Sequence, residues 1–238
     1  KRLRIVSRRV VSMVRRNSAA LSYEVTPLNF TGTVQLESVF RGPVHSRIFG
    51  GPRTQVLNLD VTPQQVIATM RPTRADFRVA MALGHAARLD DGTAGNGEAQ
   101  QDDGGATVRF AGELEQGKTL CLEKHAVFHA SEENPADADS VARHLTVAAG
   151  RQLDTDLADG FETLVSEQAA FWTDWWERGD IIIAGNDADQ MAVRFNLFHL
   201  RQSHPEHDRL SISATRETSD GYNGHVFWDT SSAERRAG

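Results

Sequence analysis

The sequence predicts a multi-domain β + α protein in which an antiparallel β-sandwich is followed by helices. Apolar and polar residues alternate with a period of two up to about residue 130, as in strands with one face in a core. After Asn134-Pro135 the apolar period becomes that of a helix, and a last helical segment from Asp187 to about Gln202 is apolar on two faces. Repeated short strands followed by helices favour a sandwich with a separate helical part.

Short alternating segments separated by Gly and Pro predict the strands. One contains Leu21, Tyr23 and Val25 and ends at Pro27, and others cover residues 77–83, 108–110 and 119–128. Residues 90–106 are rich in Gly, Asp and Gln, and we expect a surface loop or hairpin tip there. The acidic residues in that stretch lack the spacing of a calcium loop, so no metal site is predicted.

Two apolar stripes predict two helices joined at Asp159-Gly160. The first stripe contains Val141, Leu145, Ala149, Leu153 and Leu157, and the second contains Phe161, Leu164, Val165, Gln168, Trp172, Trp175 and Trp176. The tryptophans could form a carbohydrate platform, but their helical spacing favours a buried seam. Asn186 is the expected N-cap of the last helix, with Asp189 at its third position.

The stretch SDGYNGHVFWDT, residues 219–230, has the composition of a sugar-binding wall. Its aromatic side chains offer flat apolar faces for a pyranose ring, and its polar side chains offer hydrogen bonds to hydroxyls. The candidate substrate-binding residues are Tyr222, His225, Phe227, Trp228 and Asp229. Composition alone leaves the alternative that Phe227 and Trp228 fill a core.

The segments RFNLFHL (residues 194–200) and DGYNGHVFWDT (residues 220–230) resemble the entry to the catalytic domain of glycoside hydrolase family 65. That family includes maltose, trehalose and kojibiose phosphorylases and acid trehalase-like or kojibiose hydrolases. Residues 7–13 and 21–29 resemble its N-terminal β domain, and Gly160-Phe161, Glu167-Gln168 and residues 171–176 resemble its helical linker. The resemblance is weakest over residues 85–106 and absent after Thr230.

The resemblance implies a partial galactose mutarotase-like super-sandwich at 1–131, a helical linker at 132–184, and the start of an (α/α)6 barrel at 185–238. It implies inverting hydrolysis of the α-glucosidic bond in trehalose, kojibiose or maltose, with phosphorolysis as the alternative. Inorganic phosphate would then be a co-substrate, and no cofactor is implied. The resemblance implies that Phe227, Trp228 and Asp229 line the subsite for the glucosyl unit. The implied role of Trp228 is to stack on the sugar, and that of Asp229 is to bind its hydroxyl groups.

The sequence departs from the family pattern at two places. Arg216-Glu217 stands where the family has a Gly-Leu pair, and residues 231–238 do not continue the catalytic helix. The family's general acid, a Glu, has no counterpart in these residues, so we expect this chain by itself to be inactive. Ser219-Asp220-Gly221-Tyr222 resembles the hydrolase branch more than the phosphorylases, which more often have Gly-Glu-Gly-Tyr.

Composition limits the remaining function classes. The chain carries 26 basic and 32 acidic residues, which gives no case for nucleic acid or a membrane as partner. Its single cysteine excludes an intrachain disulfide, and a cytoplasmic location is the default expectation. The expected partner is a disaccharide or oligosaccharide, and a homodimer of the full-length form is left open. A non-catalytic, carbohydrate-binding β-sandwich is the alternative from another class.

Overall fold

A computed structural model describes residues 1–43, 45, 50–90, 92, 97–131, 136–204 and 212. The chain divides into two compact units, one of Lys1–His45 with Gly51–Phe171 and one of Ser46–Gly50 with Trp172–Gly238. The described strands are β1 (Leu3–Val11), β2 (Ser18–Pro27), β3 (Gly32–Arg41), β4 (Thr54–Val61), β5 (Gln65–Pro72), β6 (Val79–Leu89), β7 (Gly97–Asp102), β8 (Gly105–Leu114) and β9 (Leu120–Ala130). The described helices are α1 (Ala138–Gly179) and α2 (Asp187–Ser203).

The strands form the predicted antiparallel sandwich in the first unit. A six-stranded sheet has the order β1-β2-β9-β6-β5-β4, and a three-stranded sheet has the order β3-β8-β7. Their inner faces share one hydrophobic core, to which Val25, Val66 and Leu120 contribute from the larger sheet and Leu36 and Phe110 from the smaller. Alternation along each strand directs these side chains inward.

The prediction of a loop or hairpin tip over residues 90–106 is confirmed for the turn at 103–104 but wrong for residues 97–102 and 105–106, which lie in strands. Residues 97–102 form β7, which pairs with β8 so that Asp102 lies opposite Gly105. Because β7 is an edge strand with five exposed residues, its polar sequence carries no alternation that would mark it as a strand.

The part of α1 in the first unit covers the outer face of the six-stranded sheet. Ala149 and Leu153 pack on Ala80, Ala82 and Val127. A second cluster joins Phe161 and Leu164 to Val10 and Ala20. The approach is close at Gly84, where a Cβ would lie 2.6 Å from a methyl group of Leu157. The predicted apolar stripes of the helices are confirmed here.

The predicted helix break at Gly160 is also confirmed. Gly160 has φ 77° and ψ 170° within α1, a backbone region that is populated almost only by glycine. The residue that follows, Phe161, donates its N–H to the Glu123 carboxylate of β9 over 3.3 Å. A side chain from the sheet therefore caps the second segment of the helix.

We expect Gly160→Ala to lower the free energy of unfolding by about 1–3 kcal/mol, because alanine is strained at this backbone conformation. Gly150→Ala is the matched control within α1. A Cβ at Gly150 would meet only Ile67 Cδ1, at 4.0 Å, so this change should stabilise the helix by about 0.5–1 kcal/mol. Urea unfolding of both variants measures the effects, and equal losses of stability would contradict a special role for Gly160.

Candidate functional site

The predicted sugar-binding residues lie outside the described residues. Tyr222, His225, Phe227, Trp228 and Asp229 all belong to residues 213–238, which the structure does not describe. Their assignment to a substrate site therefore stays a prediction. The described helix nearest to them in the chain is α2, which contains the segment RFNLFHL.

Helix α2 begins at the N-cap that the sequence predicts. Asn186 Oδ1 accepts the backbone N–H groups of Ala188 and Asp189 at 3.0 and 3.3 Å. Asn186 Nδ2 donates to Asp189 Oδ2 at 2.7 Å, which places a carboxylate at the positive end of the helix. The start of α2 is thus fixed by local hydrogen bonds.

The connector before α2 is tied to the helix by side chains of α2 itself. Gln190 donates to the carbonyl of Ile181 at 2.9 Å and accepts the N–H of Ile183 at 2.7 Å. Arg194 forms a two-point ion pair with Asp180, with Nε 3.0 Å from Oδ1. The Arg194 guanidinium holds the pKa of Asp180 below its usual range. Arg194 is therefore committed to the connector and is not available to a ligand.

The tryptophans pack together but are not a buried core. Trp172 and Phe198 have ring centroids 4.7 Å apart, and Trp175 meets Trp176 at 4.6 Å with an edge-to-face angle of 81°. All three tryptophans remain half-buried. The predicted seam is confirmed as a contact, but among the described residues the tryptophans are half-buried rather than buried.

One face of α2 is open and apolar. No residue of α2 is buried, and Met191 and Phe195 are 69% and 61% exposed. A shallow cavity of about 490 Å³ lies on this face between Trp176, Phe195 and Phe198. The polar side chains on its rim include Arg194 and Gln190, which already bind the connector. Asp187 is the remaining polar side chain on the rim, and one carboxylate does not supply the convergent polar groups of a sugar site.

The buried carboxylates of the described chain are held by structural partners. Asp156 is 1% exposed and accepts hydrogen bonds from Ser18 Oγ at 2.6 Å and from Arg15 at 3.0 Å. Glu123 is 7% exposed and binds the Arg88 guanidinium and the Phe161 N–H. Neither group is free to transfer a proton to a substrate, so we assign neither a catalytic role.

We expect protonation of Glu123 to contribute to the loss of stability of the protein in acid. The His125 ring, with Nε2 3.7 Å from Glu123 Oε2, lowers the pKa of Glu123, as do the Phe161 N–H and the Arg88 guanidinium. A carboxyl with a depressed folded-state pKa stabilises the fold above its unfolded pKa of about 4.3, and this contribution is lost as pH falls through the folded value. The stability difference between the parent and Glu123→Gln should therefore be largest at neutral pH and shrink below about pH 4.3. Urea unfolding at pH 7 and pH 3 tests this, and an unchanged difference would contradict it.

No metal centre or membrane helix is found in this part of the molecule. Across the described ranges, no group of three or more His, Cys, Asp or Glu side chains could hold a metal ion. His125 is buried against α1, and His129 binds Gln152 at 2.9 Å. No helix in the portion that the structure describes is long and apolar enough to cross a membrane.

Comparison with known families agrees with the sandwich and helices. The model of the glycosyl hydrolase family 65 N-terminal domain matches residues 1–175, and the model of the family's central catalytic domain matches residues 194–232. The chain belongs to glycosyl hydrolase family 65.

Two curated relatives are phosphorylases. An α,α-trehalose phosphorylase of Thermoanaerobacter brockii is 29% identical over 238 residues, covering 96% of this chain and 30% of the relative. A kojibiose phosphorylase of Halothermothrix orenii is 29% identical over 231 residues, covering 95% and 29%. The chain thus spans about 30% of the length of the relatives that it matches.

A solved structure has the same fold. It is described as a putative kojibiose phosphorylase from human microbiome, and it superposes with a TM-score of 0.79 at 18% identity. The match covers 95% of this chain and 29% of the other. The predicted fold class, a β-sandwich followed by linker helices and the first helix of a helical barrel, is confirmed by this likeness together with the family match.

Proposed function

We propose that the protein to which this chain contributes is an inverting disaccharide phosphorylase. Its substrate would be an α-glucosyl disaccharide, with trehalose and kojibiose as the first candidates, and inorganic phosphate would be the co-substrate. The observation that carries the proposal is the match of 95–96% of the chain to relatives named as trehalose and kojibiose phosphorylases. The sequence alone favoured hydrolysis, and these relatives shift the preference to phosphorolysis.

The proposed reaction needs an acid and a nucleophile on opposite faces of the sugar. A carboxylic acid donates its proton to the glycosidic oxygen while the bond from that oxygen to C1 breaks. A phosphate oxygen forms the new bond to C1 from the opposite face. Inversion converts the α-glucoside into β-glucose 1-phosphate and releases the second sugar. In the family the acid is a Glu, and we place neither Glu123 nor Asp156 in that role because both are held structurally.

The segment 219–230 would form part of the subsite for the glucosyl unit. We assign sugar stacking to Trp228, with Phe227 beside it, and hydroxyl binding to Asp229. His225 and Tyr222 would supply further hydrogen bonds. We also propose the domain division 1–131, 132–184 and 185–238, in which α2 opens the catalytic domain and the match to that domain begins at Arg194, within α2.

Hydrolysis by the same inverting geometry is the second candidate. Ser219-Asp220-Gly221-Tyr222 favours it, since Asp220 stands where phosphorylases more often have Glu. In that case a base-activated water replaces phosphate as the attacking group, and both products are free sugars.

A product assay separates the two candidates. The intact protein is incubated with trehalose, kojibiose or maltose, with and without inorganic phosphate, and sugar phosphate and free glucose are measured. Cleavage that requires phosphate and yields β-glucose 1-phosphate, with the anomer assigned by NMR, supports phosphorolysis. Cleavage at equal rates without phosphate would favour hydrolysis. Absence of cleavage for all α-glucobioses, in a protein that retains the barrel and its Glu, would contradict both.

A further inference from the structure

One row of side chains on α2 holds the connector and the end of α1. Gln190, Arg194 and Phe198 are spaced by four residues in this helix, so their side chains lie above one another on a single face. The three positions span about 12 Å of the helix axis. Each of them contacts the chain that precedes α2. Contacts at three successive turns fix both the position and the rotation of a helix.

Gln190 supplies hydrogen-bond partners to the backbone of the connector. Ile181 and Ile183 lie within residues 180–186, which form neither helix nor strand. The side-chain amide of Gln190 donates to the Ile181 carbonyl over 2.9 Å and accepts the Ile183 N–H over 2.7 Å. Backbone groups outside regular secondary structure need such partners or water. Gln190 therefore binds this stretch of chain to the first turn of α2.

The ion pair of Arg194 with Asp180 ties the residue that follows α1 to the middle of α2. Two guanidinium nitrogens meet the two carboxylate oxygens, with Nε 3.0 Å from Oδ1. The Asp180 side chain is only 19% exposed, and a planar two-point pair fixes an angle as well as a distance. The contact of Phe198 with Trp172 is apolar and less directional. The polar contacts therefore decide how far α2 can slide along the aromatic seam.

This row lies at the start of the matched catalytic domain. The match to that domain covers residues 194–232, which include Arg194, Phe198 and the candidate subsite stretch 219–230. A displacement of α2 would therefore be passed on to the part of the domain that follows it in the chain.

We propose that Gln190 and Arg194 are positioning residues that hold α2 in the place that turnover requires. They bind the connector rather than a sugar, and they fix α2 relative to residues 172–179 at the end of α1. A misplacement of reacting groups by about 1 Å can lower a rate about 100-fold, even when the substituted residue is far from the chemistry. The inference rests on the proposed disaccharide cleavage, but it is independent of whether phosphate or water attacks.

Steady-state kinetics and hydrogen exchange on the intact protein test the proposal. The variants are Gln190→Met, Arg194→Met, Asp180→Asn and the double variant that combines the last two. Arg178→Met is the matched control, because the ion pair of Arg178 with Asp174 joins residues four apart within α1 and is exposed. Thermal unfolding of each variant verifies that the fold is retained.

We expect Gln190→Met and Arg194→Met each to lower kcat about tenfold while KM stays within about twofold, because neither side chain contacts the sugar. Arg178→Met should leave both constants unchanged. The double variant should lose no more activity than Arg194→Met, because Asp180→Asn and Arg194→Met break the same ion pair. Unchanged kcat in both single variants, additive losses in the double variant, or a rise in KM alone would overturn the proposal.

Hydrogen exchange distinguishes failure of this proposal from failure of the proposed reaction, because it needs no substrate. The amides of residues 181–190 should exchange faster in Gln190→Met and Arg194→Met than in the parent or in Arg178→Met. If the parent cleaves no disaccharide, the proposed reaction is wrong, and faster exchange still supports the role of Gln190 and Arg194 in fixing α2 to the connector. Unchanged exchange at these amides in both variants overturns that role, whatever the kinetics show.

Discussion

Asp229→Ala in the intact protein should lower kcat/KM for the disaccharide by about 100-fold or more, with little change in thermal stability. A carboxylate that binds sugar hydroxyls more strongly in the transition state than in the ground state contributes several kcal/mol to catalysis. Each 1.4 kcal/mol corresponds to about a factor of ten in rate. The effect should therefore exceed that of most substitutions outside the site.

Two further variants make this expectation specific. Asp229→Asn keeps the shape and hydrogen-bonding capacity but removes the charge, and we expect an intermediate loss. Asp103→Ala removes a carboxylate from the exposed turn between β7 and β8 and should leave kcat/KM unchanged. Near-parental turnover of Asp229→Ala on trehalose, kojibiose and maltose would show that the assignment of Asp229 is wrong.

Arg15→Met should cause the largest loss of stability among the ion-pair variants, about 3 kcal/mol. Arg15 Nη1 lies 3.0 Å from Asp156 Oδ1 and 2.7 Å from Asp159 Oδ2, and its Nη2 lies 2.6 Å from Glu167 Oε1. Asp156 is 1% exposed, so removal of the guanidinium leaves a buried carboxylate with only the Ser18 hydroxyl. Loss of one partner of a buried ion pair costs about 3–5 kcal/mol, and Arg15 lies near the surface, which favours the lower end. A typical domain has only about 5–15 kcal/mol of total stability.

Arg8→Met is the matched control for Arg15→Met. Arg8, in β1, likewise reaches α1 through an ion pair, with Glu162, but the two side chains are 42% and 71% exposed. Water replaces such a partner readily, so the loss of stability should be much smaller. Arg15→Lys keeps the charge but replaces the broad guanidinium fork with donors on a single nitrogen, and its stability should lie between the parent and Arg15→Met. Equal midpoints of urea unfolding for Arg8→Met and Arg15→Met would contradict the buried network.

The sequence by itself determined where several strands and helices of this protein lie and where they begin or end, because these features depend on residues close together in the chain. The alternation around Leu21 and Tyr23 predicted β2, and the apolar stripe through Leu153 predicted the face of α1 that meets the sheet. Gly160 predicted the helix break, and Asn186 predicted the start of α2. These signals are reliable because backbone conformation and capping are decided within a few residues of the chain. The family resemblance, carried by residues 194–200 and 220–230, was likewise present in the sequence.

Tertiary structure alone decided the contacts between distant residues. Glu123 of β9 caps the helix at Phe161, and Arg15 reaches Asp156 across 141 positions of the chain. The pairing of β1, β2 and β9 set Arg9, Leu21 and Lys124 side by side across three strands. No local pattern encodes such pairs, because strand order and register are selected by the packing of whole faces. The polar edge strand β7 went unpredicted for the same reason: its partner β8, rather than its own sequence, makes it a strand.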